Sequence, residues 1–511
     1  MLRLTPVMNP PDRRGYSVRR SLLLASVALA ATGAATLAPA AARAQTVAAQ
    51  ADGFADATAA YAAMNANRPA DAIAPAARAV NAAPDNLDWR LLLVDALMGA
   101  NDPAGALAAL QPVAGSWDHR VQTRRAEAAR LTGDLSQAAE AYGLAAPLAP
   151  TAESRAYLTR ARAQALVQLG RSGEARTVLR EAAAAGMLPG DAPLDFAYAA
   201  VGAGDDRLAV QGFAAADRTE PLKGAQALDA AYAARRAGRD TEAVTWLEQG
   251  ARTLPADQLT PQRRHEIGRE LQTLEHRFGG TATVSTGPAD SATTLVNTGG
   301  EQVTQVGGEV WARVGGDNNG RPLQVFARAY QTLDADTGPT GGDSTQGWIG
   351  ARWKPFTETN LVLEASRLIA LGDAARDDTM LRAAWSGDVG GDLRYDRDSW
   401  PSAHLYVDAA RLLEDEQTYA VADANIGWTW VASESRRDTV TAGVGVRADY
   451  DSLRTEEWAV SAGPRVAWRH WMGGDDLRAP GRYVDLSLGY YAPLDDGPRD
   501  AGVVAAVTVG F

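Results

Sequence analysis

The stretch Thr439-Val440-Thr441-Ala442-Gly443-Val444-Gly445-Val446-Arg447-Ala448-Asp449-Tyr450 decides the fold. Its side chains alternate with a period of two, as on a pleated strand. Val440, Ala442, Val444, Val446, Ala448 and Tyr450 share one face. Thr439, Thr441, Gly443, Gly445, Arg447 and Asp449 share the other. The first face suits lipid and the second suits water. The pattern repeats nearby. Between Tyr483 and Tyr491, Val484, Leu486, Leu488 and Tyr490 oppose Asp485, Ser487 and Gly489. Between His404 and Leu413, Leu405, Val407, Ala409 and Leu413 oppose His404, Tyr406 and Asp408. Segments of about ten residues tipped by aromatics are the signature of a transmembrane β-barrel. The expected tips are Trp348, Trp353, Trp428, Trp430, Trp458 and Trp468.

Outward from that stretch, eleven candidate strands can be placed between residues 309 and 511. Single-chain bacterial barrels have an even number of strands, so a twelfth is expected from residues 281–300. Twelve is the expectation, within a range of about 10 to 16. An even count puts both barrel ends on the periplasmic side. Val503, Ala505, Val507, Val509 and the terminal Phe511 share one face of the last strand. A terminal aromatic of this kind resembles the signal read by the barrel-insertion machinery.

Upstream, period two gives way to a repeat. A Gly or Asn is followed five positions on by Ala at Asn67/Ala72, Asn101/Ala106, Gly133/Ala138, Gly170/Ala175, Gly204/Ala209 and Gly238/Ala243. The spacings are 34, 32, 37, 34 and 34 residues, and Pro84, Pro150, Pro221 and Pro255 each fall 17 residues after a start. A 34-residue period resembles the tetratricopeptide repeat. The Gly or Asn ends a first helix in the left-handed conformation, acids just after it cap the second, and the proline ends that one. Tyr142, Tyr157, Tyr198, Tyr232 and Trp246 are expected either to pack the core or to line a docking groove of the array.

At the start, Arg3, Arg13, Arg14, Arg19 and Arg20 precede an apolar run from Leu22 and an Ala42-Arg43-Ala44 site. This describes a secretory signal peptide, residues 1–44, cleaved after Ala44. Its loss deepens the net charge from −12 to −17, because it contains six arginines and one aspartate. The domain plan is then 45–278 helical repeats, 279–304 linker or first strand, and 305–511 outer-membrane barrel. The fold class is a two-part α + β chain, a periplasmic tetratricopeptide-like solenoid followed by an antiparallel transmembrane barrel. Zero cysteines exclude a disulfide scaffold, a thiolate metal site and a cysteine nucleophile. The acidic balance argues against nucleic acid as a partner. Ten of the 13 tryptophans lie after residue 300, while alanine is concentrated in the repeats.

Three segments narrow the reading further. They are Trp353-Lys354-Pro355-Phe356-Thr357-Glu358-Thr359-Asn360, Leu371-Gly372-Asp373 and Asp392-Leu393-Arg394-Tyr395-Asp396-Arg397-Asp398-Ser399-Trp400. With them, residues 305–511 resemble the C-terminal domain of the bacteriophage adsorption protein A family (NfrA). The family-like positions are Lys354, Pro355, Phe356, Asn360, Gly372, Asp373, Asp392, Arg394, Asp398 and Trp400. The resemblance implies an outer-membrane barrel with periplasmic repeats, built like the exporters of cellulose and poly-N-acetylglucosamine. It also implies a surface polysaccharide as cargo and a periplasmic or inner-membrane glycosyltransferase as partner, with phage adsorption a secondary role.

No enzyme is expected. HExxH, GxSxG and GxxxxGK[ST] are all absent, and no cofactor or metal is called for. Asp334…Asp343 and Asp373…Asp378 lack the spacing of a calcium loop. Function is expected in the lumen, where Tyr406, Asp408, Arg447, Asp449, Arg465, Arg469 and Asp485 are the candidate polymer contacts. The same residues could equally satisfy one another as ion pairs, since buried charges must be paired. The competing expectation is a non-conducting adhesin or phage receptor anchored in outer-membrane lipid by its barrel.

Overall fold

The computed structural model describes residues 40–187, 192–288, 299–494 and 500–511. The expected signal peptide lies outside these residues as far as residue 39. Contacts divide the chain into two compact units, one ending at Ala175 and one spanning Arg176–Phe511.

The first unit holds α1 (Ala40–Asn65), α2 (Pro69–Ala82), α3 (Leu87–Gly99), α4 (Pro103–Leu110), α5 (His119–Thr132), α6 (Leu135–Ala145) and α7 (Ala152–Gln168). Each helix packs on the next. The division falls within α8 (Ser172–Ala184). The second unit continues with α9 (Pro193–Gly202), α10 (Asp206–Thr219), α11 (Ala225–Arg236), α12 (Asp240–Thr253) and α13 (Pro261–Glu275). No described helix is long and apolar enough to cross a membrane.

The repeat signature has a structural cause at every copy. Asn67, Asn101, Gly133, Gly170, Gly204 and Gly238 all adopt positive φ, between 56° and 86°. Only Gly or Asn takes that conformation cheaply, so these residues mark each first-helix end. The alanines five positions on, Ala72, Ala106, Ala138, Ala175, Ala209 and Ala243, are fully buried. Asp134 caps α6 by accepting the Gln137 N–H at 2.9 Å. Asp240 departs from the expected role. Its carboxylate accepts the Asp317 N–H of a barrel turn at 2.5 Å, and α12 has no side-chain cap.

The barrel strands are β1 (Phe278–Gly287), β2 (Gly299–Val314), β3 (Leu323–Thr337), β4 (Gln346–Trp353), β5 (Leu361–Ala370), β6 (Asp378–Val389), β7 (Ser399–Leu412), β8 (Thr418–Val431), β9 (Asp438–Asp451), β10 (Trp458–Met472), β11 (Arg482–Pro493) and β12 (Gly502–Gly510). Each pairs antiparallel with its neighbours, and β1 closes on β12, from Thr281↔Gly510 to Thr286↔Ala505. Strand therefore begins at Phe278, two residues beyond α13 and its cap residue. The segment 279–304 contains β1 and the start of β2. Phe511 seals the seam, where its N–H and C=O exchange bonds with Gly280 at 3.1 and 2.9 Å.

The outer wall is apolar and exposed. Val444, Val446, Leu486, Leu488, Leu405, Val407, Val503 and Val507 are among its residues, and Ile426 is 72% exposed. Burying such a band in water would leave it unpaired, and in lipid it is at home. Trp353, Trp428, Trp430 and Trp458 are exposed on this outer wall as expected. Trp348 is a correction. It is 4% exposed and faces inward, its ring meeting Tyr330 edge-on at 5.6 Å. Strand alternation gives the face of a residue only once the register is known, and Trp348 sits opposite inward-facing Arg328.

Candidate functional site: the barrel interior

The interior divides into a filled side and an open side. Across β2 to β7 the lumen-facing side chains fill it. Phe326, Trp348, Leu368, Met380, Ala410 and Leu412 form an apolar cluster, joined by Trp311, Tyr330 and Tyr419. Beside it runs a chain of charges. Arg352 bridges Gln324 at 2.7 Å and Glu309 at 2.7 Å. Glu309 binds Arg328 at 2.6 Å, and Arg328 reaches Glu364 at 3.4 Å. Glu364 meets Arg382 at 3.3 Å, and Arg382 binds Asp408 at 2.6 Å and also Tyr406. Glu364 and Asp408 are nearly fully buried, so each needs its guanidinium partners to be tolerated at all.

The open side is a cavity of about 660 Å³ lined largely by β1 and β8 to β12. Its wall is built in levels set by the register. One level carries Thr429, Thr441, Ala467, Ser487, Ala506 and Ser285. The level on one side carries Thr439, Arg469, Asp485, Thr508 and Thr283. Short hydroxyl side chains keep this wall polar and the cavity wide. Arg447 binds Asp423 at 3.1 Å and lies over the Tyr491 ring at 5.4 Å. Arg469 binds Asp485 at 2.9 Å and lies over Tyr483 at 4.5 Å.

Of the seven candidate contacts, Arg447, Arg465, Arg469 and Asp485 line this cavity. Tyr406 and Asp408 belong to the filled side. Asp449 pairs with Arg454 near the opposite end of β9. Of this chain of charges sequence reasoning reached only Tyr406 and Asp408, because its members come from six strands. The inward alternation Gln324, Phe326, Arg328, Tyr330 on β3 was the available signal.

The rim that carries the barrel's two chain ends also meets the last helices. In the β2–β3 turn, buried Asp317 faces Arg235 of α11 at 3.6 Å and Arg313 at 3.8 Å. In the β6–β7 turn, Asp392 faces His265 at 3.3 Å and Arg269 at 3.1 Å, both on α13. The Tyr395 N–H donates to Gln262 at 2.8 Å, and the Tyr395 and His265 rings lie 5.1 Å apart. In the β10–β11 turn, Arg478 binds Glu248 of α12 at 2.7 Å and Glu275 of α13 at 2.6 Å. Burial alone would discourage the Asp392 charge. The hydrogen bond from His265 and the charge of Arg269 outweigh it, and the carboxyl is held below its ordinary range.

The family-like positions fall in turns, apart from Trp400 at the start of β7. Asp396 pairs with Arg394 and Arg397 at 2.8 and 2.9 Å, Asp398 with Arg436 at 2.6 Å, and the Trp400 indole donates to Gly390 at 2.7 Å. The Lys354 N–H donates to the Pro322 carbonyl at 3.2 Å, followed in the same turn by Pro355 and exposed Phe356. Asn360 donates to Ser386. Gly372 lies against the backbone of Gly342 and Asp343 so closely that a Cβ would collide, and Asp373 follows it. The Asp378 carboxylate accepts the backbone N–H groups of Leu413, Glu414 and Asp415 at 2.9 to 3.0 Å. It organises a turn, which accounts for it without calcium.

In the array, Tyr142 and Trp246 are buried, whereas Tyr157 and Tyr198 are exposed. Glu127 accepts from Tyr142 at 2.7 Å and Tyr157 at 2.6 Å. Burial and this carboxylate push the Tyr157 hydroxyl up to about 12. Tyr198 donates to Asp229 at 2.9 Å, and burial pushes the half-buried Tyr232 hydroxyl up.

A helical repeat array leading into a closed twelve-stranded barrel with an apolar outer wall defines an outer-membrane-type barrel protein with tetratricopeptide-like repeats. Residues 337–507, within the barrel region, match the family model described as bacteriophage N adsorption protein A C-term. Solved repeat structures are among those the chain is similar to. A tetratricopeptide repeat protein from Parabacteroides merdae is 15% identical, with 42% of this chain and 85% of that one covered and a TM-score of 0.31. YrrB, described as a TPR protein with an unusual peptide-binding site, is 15% identical over 36% and 94%, with a TM-score of 0.31. PilF of Pseudomonas aeruginosa is 13% identical over 41% and 94%, with a TM-score of 0.31. No curated protein sequence matches the chain.

Proposed function

We propose that the protein is a non-catalytic export conduit and scaffold for a surface polysaccharide. Residues 1–44 act as its signal peptide, and the repeats lie in the periplasm. There they recruit a periplasmic or inner-membrane glycosyltransferase, while the barrel passes the polymer across the outer membrane. The observation that carries this reading is the hydroxyl-rich cavity along one side of the lumen. Its Thr and Ser wall offers short hydrogen bonds that form and break without trapping a sugar chain. The turns that clamp α11 to α13 to the rim support delivery from the repeats to the mouth. In a clean deletion strain, surface polysaccharide is expected to fall sharply while uptake of neutral sugars is unchanged. Normal surface polysaccharide would refute the reading.

The filled β2–β7 side favours a second reading, a non-conducting adhesin or phage receptor. That reading predicts no current in planar bilayers and binding through turns of the far rim such as 338–345.

A further inference from the structure

Among the described residues, the strand arginines that face the lumen are paired, with one exception. Arg328, Arg352 and Arg382 are held by Glu309, Glu364 and Asp408, Arg447 by Asp423, and Arg469 by Asp485. Arg465 lines the open cavity and makes no ion pair, hydrogen bond or ring contact. Its register neighbours are Gly443 on β9 and Gly489 on β11, and beyond Gly443 lies Gly427. Neither glycine has a side chain to pair with the guanidinium, and the Tyr491 ring lies over Gly489. The nearby carboxylates are already engaged. Asp423 and Asp485 hold their own arginines, and Asp392 holds Arg269 and His265. Asp388, four strands away on β6, binds the Gly391 N–H at 3.0 Å and faces His404 at 4.0 Å. Asn425 lines the same cavity, and its amide oxygen has no partner. A cation without a partner in a confined lumen is costly unless water or a passing anion satisfies it.

We propose that Arg465 is an anion-recognising side chain of the lumen, and that the conveyed polymer is an acidic glycan bearing carboxylate groups. This rests on the conduit reading. The planar guanidinium fork matches a carboxylate in two parallel hydrogen bonds. The open cavity that Arg465 lines has room for the sugar ring that carries it, and Asn425 and the hydroxyl wall serve the ring's neutral hydroxyls. A guanidinium with no carboxylate of its own holds an acidic residue briefly and releases it to the next.

The test is calorimetric titration of the full-length protein in detergent with oligogalacturonate, and with a cello-oligosaccharide of equal length. Wild type is expected to bind the acidic oligomer, and rising salt is expected to weaken it. Arg465→Gln is expected to weaken it by roughly tenfold or more, and Arg465→Lys by less. Cello-oligosaccharide binding is expected to be equal in all three proteins. Heat-modifiable migration verifies that each barrel is folded. Equal oligogalacturonate affinity in wild type and Arg465→Gln overturns the proposal. Binding of the neutral oligomer alone overturns it while leaving the conduit reading intact. If neither oligomer binds and the barrel passes no current, both fall.

Discussion

Arg382 shows what a single side chain does in this barrel. It stands between Glu364 and Asp408, two carboxylates that have almost no access to water. Removing it leaves Asp408 without a cation and Glu364 with Arg328 alone, and breaking a buried pair of this kind typically costs about 3–5 kcal/mol. Arg382→Ala is therefore expected to lower markedly the temperature at which the fast-migrating folded form is lost in gel shift. An unchanged midpoint would mean that water enters the filled side. Arg382 was not legible as important, because nothing local distinguishes it from any other arginine on an alternating strand. Arg447, Arg469 and Asp485 were legible as inward-facing from alternation alone. Their partners were not, since those are fixed by register with other strands.

Helices and turns set the next scale. The six positive-φ residues that end the first helices were readable because the conformation restricts the residue type, so a local cause left a local trace. The clamp between α13 and the β6–β7 turn left none. Its partners Asp392, His265 and Arg269 are far apart in sequence and meet only in the fold. The Asp392 carboxyl is held below its ordinary range, so its contribution is present above the unfolded value, near 4. That contribution is lost as pH falls through the lower folded value. The melting of helical signal in the full chain is expected to be flat from pH 7 to about 4 on this account, and to fall below that. Asp392→Asn is expected to show a lower midpoint at pH 7 and a smaller change with acid. A pH profile identical to wild type would contradict the clamp. Arg478→Ala, which strands Glu248 and Glu275, is expected to raise hydrogen exchange in α12 and α13 while the barrel strands stay protected.

Over the whole molecule, the sequence changes character where its solvent changes. Alanine is concentrated where helices pack closely, and tryptophan in the barrel strands and their turns. The even strand count was legible from period-two segments and from the need to close an edge. The asymmetry of the lumen was not, since it follows from which inward side chains are large, summed around the circle. The open side, from β8 through β12 to β1, is the path the conduit reading requires. Ala506 sits in its hydroxyl level, flanked by Ser487 and Ser285. A tryptophan there would fill the path without touching the charges of the filled side. The most direct measurement is surface polysaccharide in a deletion strain complemented with wild type or with Ala506→Trp, each verified as an assembled barrel. Wild type is predicted to restore the polymer and Ala506→Trp to fail. Full restoration by Ala506→Trp, or no loss in the deletion itself, would contradict the account.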